Sequence, residues 1–89
     1  MVPEKGILNM PESAYVLINV LPGQTAKVKN LLAQIEEIKT IDACWGKPDI
    51  FAKVEVKTQE DLTQLVLTKI HAIEGVSQTD THLVYTLQE

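Results

Sequence analysis

The sequence predicts an α+β fold, a single two-layer sandwich with elements in the order βαββαβ, on three observations. Apolar and polar residues alternate from Ile50 to Lys57, the period of a strand with one covered face. Val28, Leu31, Leu32 and Ile35 recur instead at i, i+3, i+4 and i+7, the spacing of an amphipathic helix. Turn residues at Pro22-Gly23, Gly46-Lys47-Pro48 and Gly75 separate the segments, and the 89 residues leave no room for a second domain.

Each element follows from its residues. Residues 1–13, with Pro3 and Pro11 and no apolar run of signal-peptide length, read as an irregular arm that can lie on a neighbour through Ile7, Leu8 and Met10. The domain itself is residues 14–89. Ala14 to Val20 is rich in β-branched and aromatic residues and is the first strand. A helix of about three turns starts at Thr25, with Lys27, Lys29, Asn30, Gln34 and Glu36 opposite its apolar stripe. Ile38 to Trp45 is the second strand, although neither of its faces alternates cleanly. In the third, Ile50, Ala52, Val54 and Val56 share the buried side and Phe51, Lys53, Glu55 and Lys57 the other. Thr58 caps a second helix whose first turn carries Glu60 and Asp61, where carboxylates complement the exposed amides. Its buried stripe is Leu62, Leu65, Val66, Ile70 and Ile73, and Gly75 ends it through the left-handed geometry glycine tolerates. Val76 to Leu87 is the last strand.

This order most simply builds a four-stranded antiparallel sheet with both helices on one face, the ferredoxin-like arrangement. The other face is then uncovered, with Tyr15, Leu17 and Phe51 as its apolar part. A large apolar side chain removed from water stabilises by about 1.5–3 kcal/mol, so the face is expected to be a dimer interface, sheet against sheet.

Composition excludes several function classes. A net charge of −4 gives no basic footprint for nucleic acid, and charged residues interrupt every stretch long enough to cross a membrane. Cys44, the only cysteine, allows no internal disulfide; a cytoplasmic location and a small buried thiol are expected. His71 and His82 lie on different elements without metal-ligand spacing, and neither a phosphate loop nor a nucleophile elbow is present. His71 reads as complementing the carbonyls at its helix end and His82 as a paired sheet residue. No catalytic residue, metal or cofactor is therefore assigned.

Two places remain for ligand chemistry. Glycine before proline in Gly46-Lys47-Pro48 makes a compact loop with amides to offer, and Asp49 can accept from an ammonium group or simply cap the turn. Thr79 and Thr81 share parity, so both hydroxyls face one side and suit a carboxylate or amide, though threonine also favours strands for its own sake.

Taken together, Ala14 to Val20 with its Pro22-Gly23 turn, Gly46 to Val56 with its Gly-x-x-Asp start, and Ile70 to Val76 leading to Thr79-Asp80-Thr81 resemble the effector-binding domain of the Lrp/AsnC family. This is also called the RAM (regulation of amino acid metabolism) domain, and the likeness covers Ala14 to Leu87. The resemblance implies a dimeric α+β barrel assembly, dimers joined into octamers or decamers, and small effectors, typically amino acids, bound between neighbouring dimers. By the same resemblance Gly46, Lys47 and Asp49 fall on the ligand-contacting turn, and Thr79 and Thr81 on the Thr-x-Thr segment. Lys47-Pro48 departs from the commoner aromatic or acidic residue before the aspartate. Family members carry an N-terminal helix-turn-helix, whereas thirteen residues precede the first strand here, so no direct DNA contact is expected and full-length regulators are candidate partners. Two other readings stand beside this one: a monooxygenase-like enzyme of the same barrel type, recruiting Tyr15, His82 and Trp45, and a purely structural oligomerisation module.

Overall fold

A computed structural model describes residues 12–85 and shows the expected sandwich. Strand β1 spans Glu12–Val20, helix α1 Thr25–Leu32, strand β2 Ile38–Ala43, strand β3 Ile50–Val56, helix α2 Gln59–Gln64 with a π-helical continuation Leu65–Ile70, and strand β4 Val76–Leu83. The strands form one antiparallel sheet in the order β2-β3-β1-β4. The arm at residues 1–13 lies outside the described residues but for its last two, which begin β1, and Leu87 lies beyond them at the other end.

Register decides which face each side chain takes. Ile18 pairs with Ile50, Val16 with Ala52 and Ala14 with Val54, and all six are buried against the helices. Val28 and Leu32 of α1, and Leu62, Leu65 and Ile70 of the α2 arm, complete the core from above. The clean alternation of Ile50 to Val56 thus becomes the middle of the core.

Five details depart from the sequence reading. Helix α1 is eight residues long, because Gln34 and Ile35 donate to the carbonyls of Leu31 and Leu32 and tighten the chain past the last α-helical turn. Leu31, one of its expected stripe residues, is exposed in consequence of lying beside rather than on the Val28–Leu32 line. Strand β2 ends at Ala43, not Trp45, and the uneven alternation of its sequence has a physical cause: the register shifts between Ile38 and Thr40. Such a bulge inserts a residue and changes parity, so Ile38 and Ile41, three apart, both pack on the core. Cys44, expected inside, is exposed, since the chain has already left the sheet there. Strand β4 stops at Leu83, leaving Val84 and Tyr85 exposed beyond it.

The second helix begins as expected, with Thr58 Oγ1 accepting the Asp61 amide at 3.0 Å. Its second half is wider. The His71 amide donates to the Val66 carbonyl at 2.9 Å, an i→i+5 bond, and the buried residues Leu65 and Ile70 are likewise five apart. At about 100° per residue a regular α-helix would turn these two side chains well away from each other; the wider turn puts both on the core.

Candidate functional site

The segment before β3 finishes the sheet. Next to Ile50, the Asp49 amide donates to the Ile18 carbonyl at 3.1 Å, and the Asp49 carboxylate then accepts the Val20 amide at 2.8 Å. The Cys44 amide closes the loop onto the Asp49 carbonyl at 2.8 Å. Asp49 is thus the staple between the loop and the end of β1, just where the β1–β4 register shifts at Asn19 and Val20. Gly46 has φ +90° with open space around it, so backbone geometry rather than crowding calls for glycine there. Lys47 is exposed, and Trp45 projects fully into solvent.

Because the Val20 amide is partly buried, replacing Asp49 by alanine leaves a donor unpaired. Asp49→Ala is expected to destabilise the domain by about 1–3 kcal/mol, read by urea or thermal unfolding. Unfolding identical to the parent would show that solvent satisfies this amide.

Thr79 pairs with Ile18 and Thr81 with Val16, so both hydroxyls lie on the helix side of β4, as their shared parity requires. His71, at the end of the π-helical segment, sets its Nε2 2.7 Å from Thr79 Oγ1. It therefore joins α2 to β4, where the sequence suggested only a helix-end residue. Thr81 borders a small apolar cleft of about 220 Å³ with Leu62, Thr63, Val66 and Leu67. Strand β4 is a sheet edge, so this cleft opens sideways.

The five ligand candidates do not converge in one subunit. Thr79 and Ile50 sit on opposite sides of β1, about 10 Å apart by strand spacing, and neither groove found among the described residues is lined by Gly46, Lys47 or Asp49. The larger groove, about 570 Å³, lies at the other end of β3 and mixes Glu37, Glu55 and Asp61 with Lys39, Lys57 and Lys69. Lys69 pairs with Glu37 there at 3.2 Å; the backbone amide of Glu37 first, and Lys69 second, hold that carboxyl below its ordinary pKa. A residue that sequence reasoning passed over is Asn19, whose Oδ1 is buried without a hydrogen-bond partner. Its signal was an amide in an otherwise apolar strand.

On the uncovered face, Leu17 lies between Phe51 and Asp80, and Tyr15 between Lys53 and His82. Tyr15 and Phe51 are 45% and 40% exposed, and the Lys53 ammonium stands 5.7 Å from the centroid of the Tyr15 ring. His82 is indeed a paired sheet residue, and its Nε2 lies 3.1 Å from Asp80 Oδ2. No helix among the described residues is long and apolar enough to cross a membrane.

The family profile of the Lrp/AsnC ligand binding domain matches residues 13–86. The chain belongs to this family. An uncharacterized HTH-type transcriptional regulator of Pyrococcus furiosus is 29% identical over 76 residues, which are 85% of this chain and 51% of that protein. The chain spans about half the length of the curated relatives it matches. Among solved structures, TTHA0845 from Thermus thermophilus superposes with a TM-score of 0.81 at 26% identity, covering 88% of this chain and 98% of its own. The transcriptional regulator NMB0573 of Neisseria meningitidis, solved as its L-Met complex, has the same fold, with a TM-score of 0.78 at 16% identity over 97% of this chain and 56% of its own. These Lrp/AsnC relatives confirm the fold read from the sequence, and those with curated names are called transcriptional regulators.

Proposed function

We propose that this Lrp/AsnC domain is a non-enzymatic sensor of a small effector, an amino acid, acting in the cytoplasm, and that its binding site is completed only when copies assemble. The observation that carries the reading is the split site. The hydroxyls of Thr79 and Thr81, with His71 against the first, stand at the open edge of the sheet, while Gly46 and Lys47 stand at a loop tip on the far side of β1. A neighbouring subunit offers the missing half, dimers first and larger rings from them. An α-carboxylate suits the threonine hydroxyls, which can donate to it. The L-Met bound by the Neisseria regulator is an effector of this class. Regulation of transcription then follows from effector-dependent assembly, alone or with full-length relatives.

A thermal-shift screen of the amino acids tests this. A ligand at 100 times its dissociation constant adds about 2.7 kcal/mol, a shift of several degrees in a domain of this size. Thr81 is exposed, so Thr81→Ala is expected to remove the shift while leaving the melting point of the ligand-free protein in place. No shift with any amino acid, or an unchanged shift in the variant, would overturn the reading.

A further inference from the structure

Trp45 is fully exposed at the tip of the β2–β3 loop, where an indole gains nothing from its own subunit. An aromatic side chain of this size buries about 150–250 Å² when covered, more than almost any other residue can contribute. The same chain carries an apolar cleft of about 220 Å³ between the α2 arm and the edge strand β4, lined by Leu62, Thr63, Val66, Leu67 and Thr81. Its wall holds no charged side chain, and Leu67, 61% exposed, forms its outer lip. Knob and cleft are both apolar and lie on opposite sides of β1.

We propose that Trp45 of one copy seats in the α2–β4 cleft of a second copy. Made head to tail, with the knob of each copy in the cleft of the next, the contact is heterologous and runs around a ring. It brings Gly46 and Lys47, the two residues after the tryptophan, to the edge strand that carries Thr79 and Thr81, joining the halves of the site that one subunit keeps apart. The inference rests on the assembly reading above and gives it a specific contact.

Trp45 is the only tryptophan, so its fluorescence reports this contact directly. In the purified full chain, emission is expected to shift to the blue and acrylamide quenching to fall severalfold over the concentrations at which sedimentation mass rises above the dimer. Trp45→Ala and Leu67→Glu change exposed side chains, and each is expected to hold the protein at the smaller species with its circular dichroism unchanged. Mixing the two is the decisive arm. The Leu67→Glu copy supplies a tryptophan and the Trp45→Ala copy, which has none, supplies an intact cleft, so emission of the mixture is expected to move to the blue of the Leu67→Glu protein alone. Unchanged emission on mixing, solvent-exposed tryptophan in the large wild-type species, or a mass that never exceeds the dimer would each overturn the contact. An amino-acid thermal shift that persists while Trp45 stays exposed removes this contact and leaves the effector reading intact; a shielded Trp45 with no responding amino acid does the reverse.

Discussion

Lysine at both Leu17 and Phe51 is expected to abolish the sheet-to-sheet dimer expected of this chain. The two residues face each other across β1 and β3 on the side of the sheet away from the helices, beside Tyr15. Covering such side chains with a second sheet gains about 1.5–3 kcal/mol for each one fully buried, less for Leu17, which is already half-covered by its own sheet. An ammonium group in the same place must be desolvated or must hold the sheets apart. A loss of about 3 kcal/mol or more, some hundredfold in the dissociation constant, follows for the double variant. Sedimentation velocity at micromolar concentration reads it. Since both positions lie outside the core, thermal unfolding of the monomer should stay cooperative, which separates loss of association from loss of fold. A wild-type chain that is already monomeric at that concentration, or a double variant of unchanged mass, would remove the sheet face as the dimer interface.

The second large effect is at Gly75. Its φ of +109° lies where side chains other than glycine are strained, and a methyl group built there would come within 3.0 Å of Val28 Cγ2 and 3.2 Å of Gln24 Cβ. Val28 is wholly buried and cannot swing away. The Gly75 carbonyl also accepts the Leu21 amide at 2.8 Å, which locks the turn after β1 to the start of β4. Gly75→Ala is therefore expected to cost about 3 kcal/mol, strain and crowding together, and a chemical denaturation curve measures it. Gly46→Ala, with a comparable φ but open space around it, serves as the contrast and should cost less. Equal losses at the two sites would mean that backbone strain alone decides, and that the approach of Val28 is relieved elsewhere.

Periodicity made the fold readable. Ile50 to Val56 announced which face of the sheet is covered, and Thr58 and Gly75 marked where the second helix starts and where the chain turns back. What the sequence concealed lies where the period breaks. The bulge after Ile38 made β2 look like a poor strand on either face, because one inserted residue exchanges the two parities. The π turn was hidden for a related reason: Leu62, Leu65, Val66 and Ile70 read acceptably as an α-helical stripe, and only the bond from His71 to Val66 reveals the wider spacing. Of the candidate site, the shared side of Thr79 and Thr81 was legible from parity. The engagement of Asp49 with Val20 was not, since a Gly-x-x-Asp turn looks the same whether its carboxylate faces a ligand or the protein's own backbone. His71 read only as a helix-end residue because its partner Thr79 lies across a turn whose geometry no local pattern specifies.

That extra residue in the second helix also sets the azimuth of everything after it. Winding these same residues as an ordinary α-helix, with none removed, would rotate the following imidazole by about 100°. The ring would then swing off the threonine hydroxyl it now touches, and the tie between helix and edge strand would be lost although every side chain that makes it was still present.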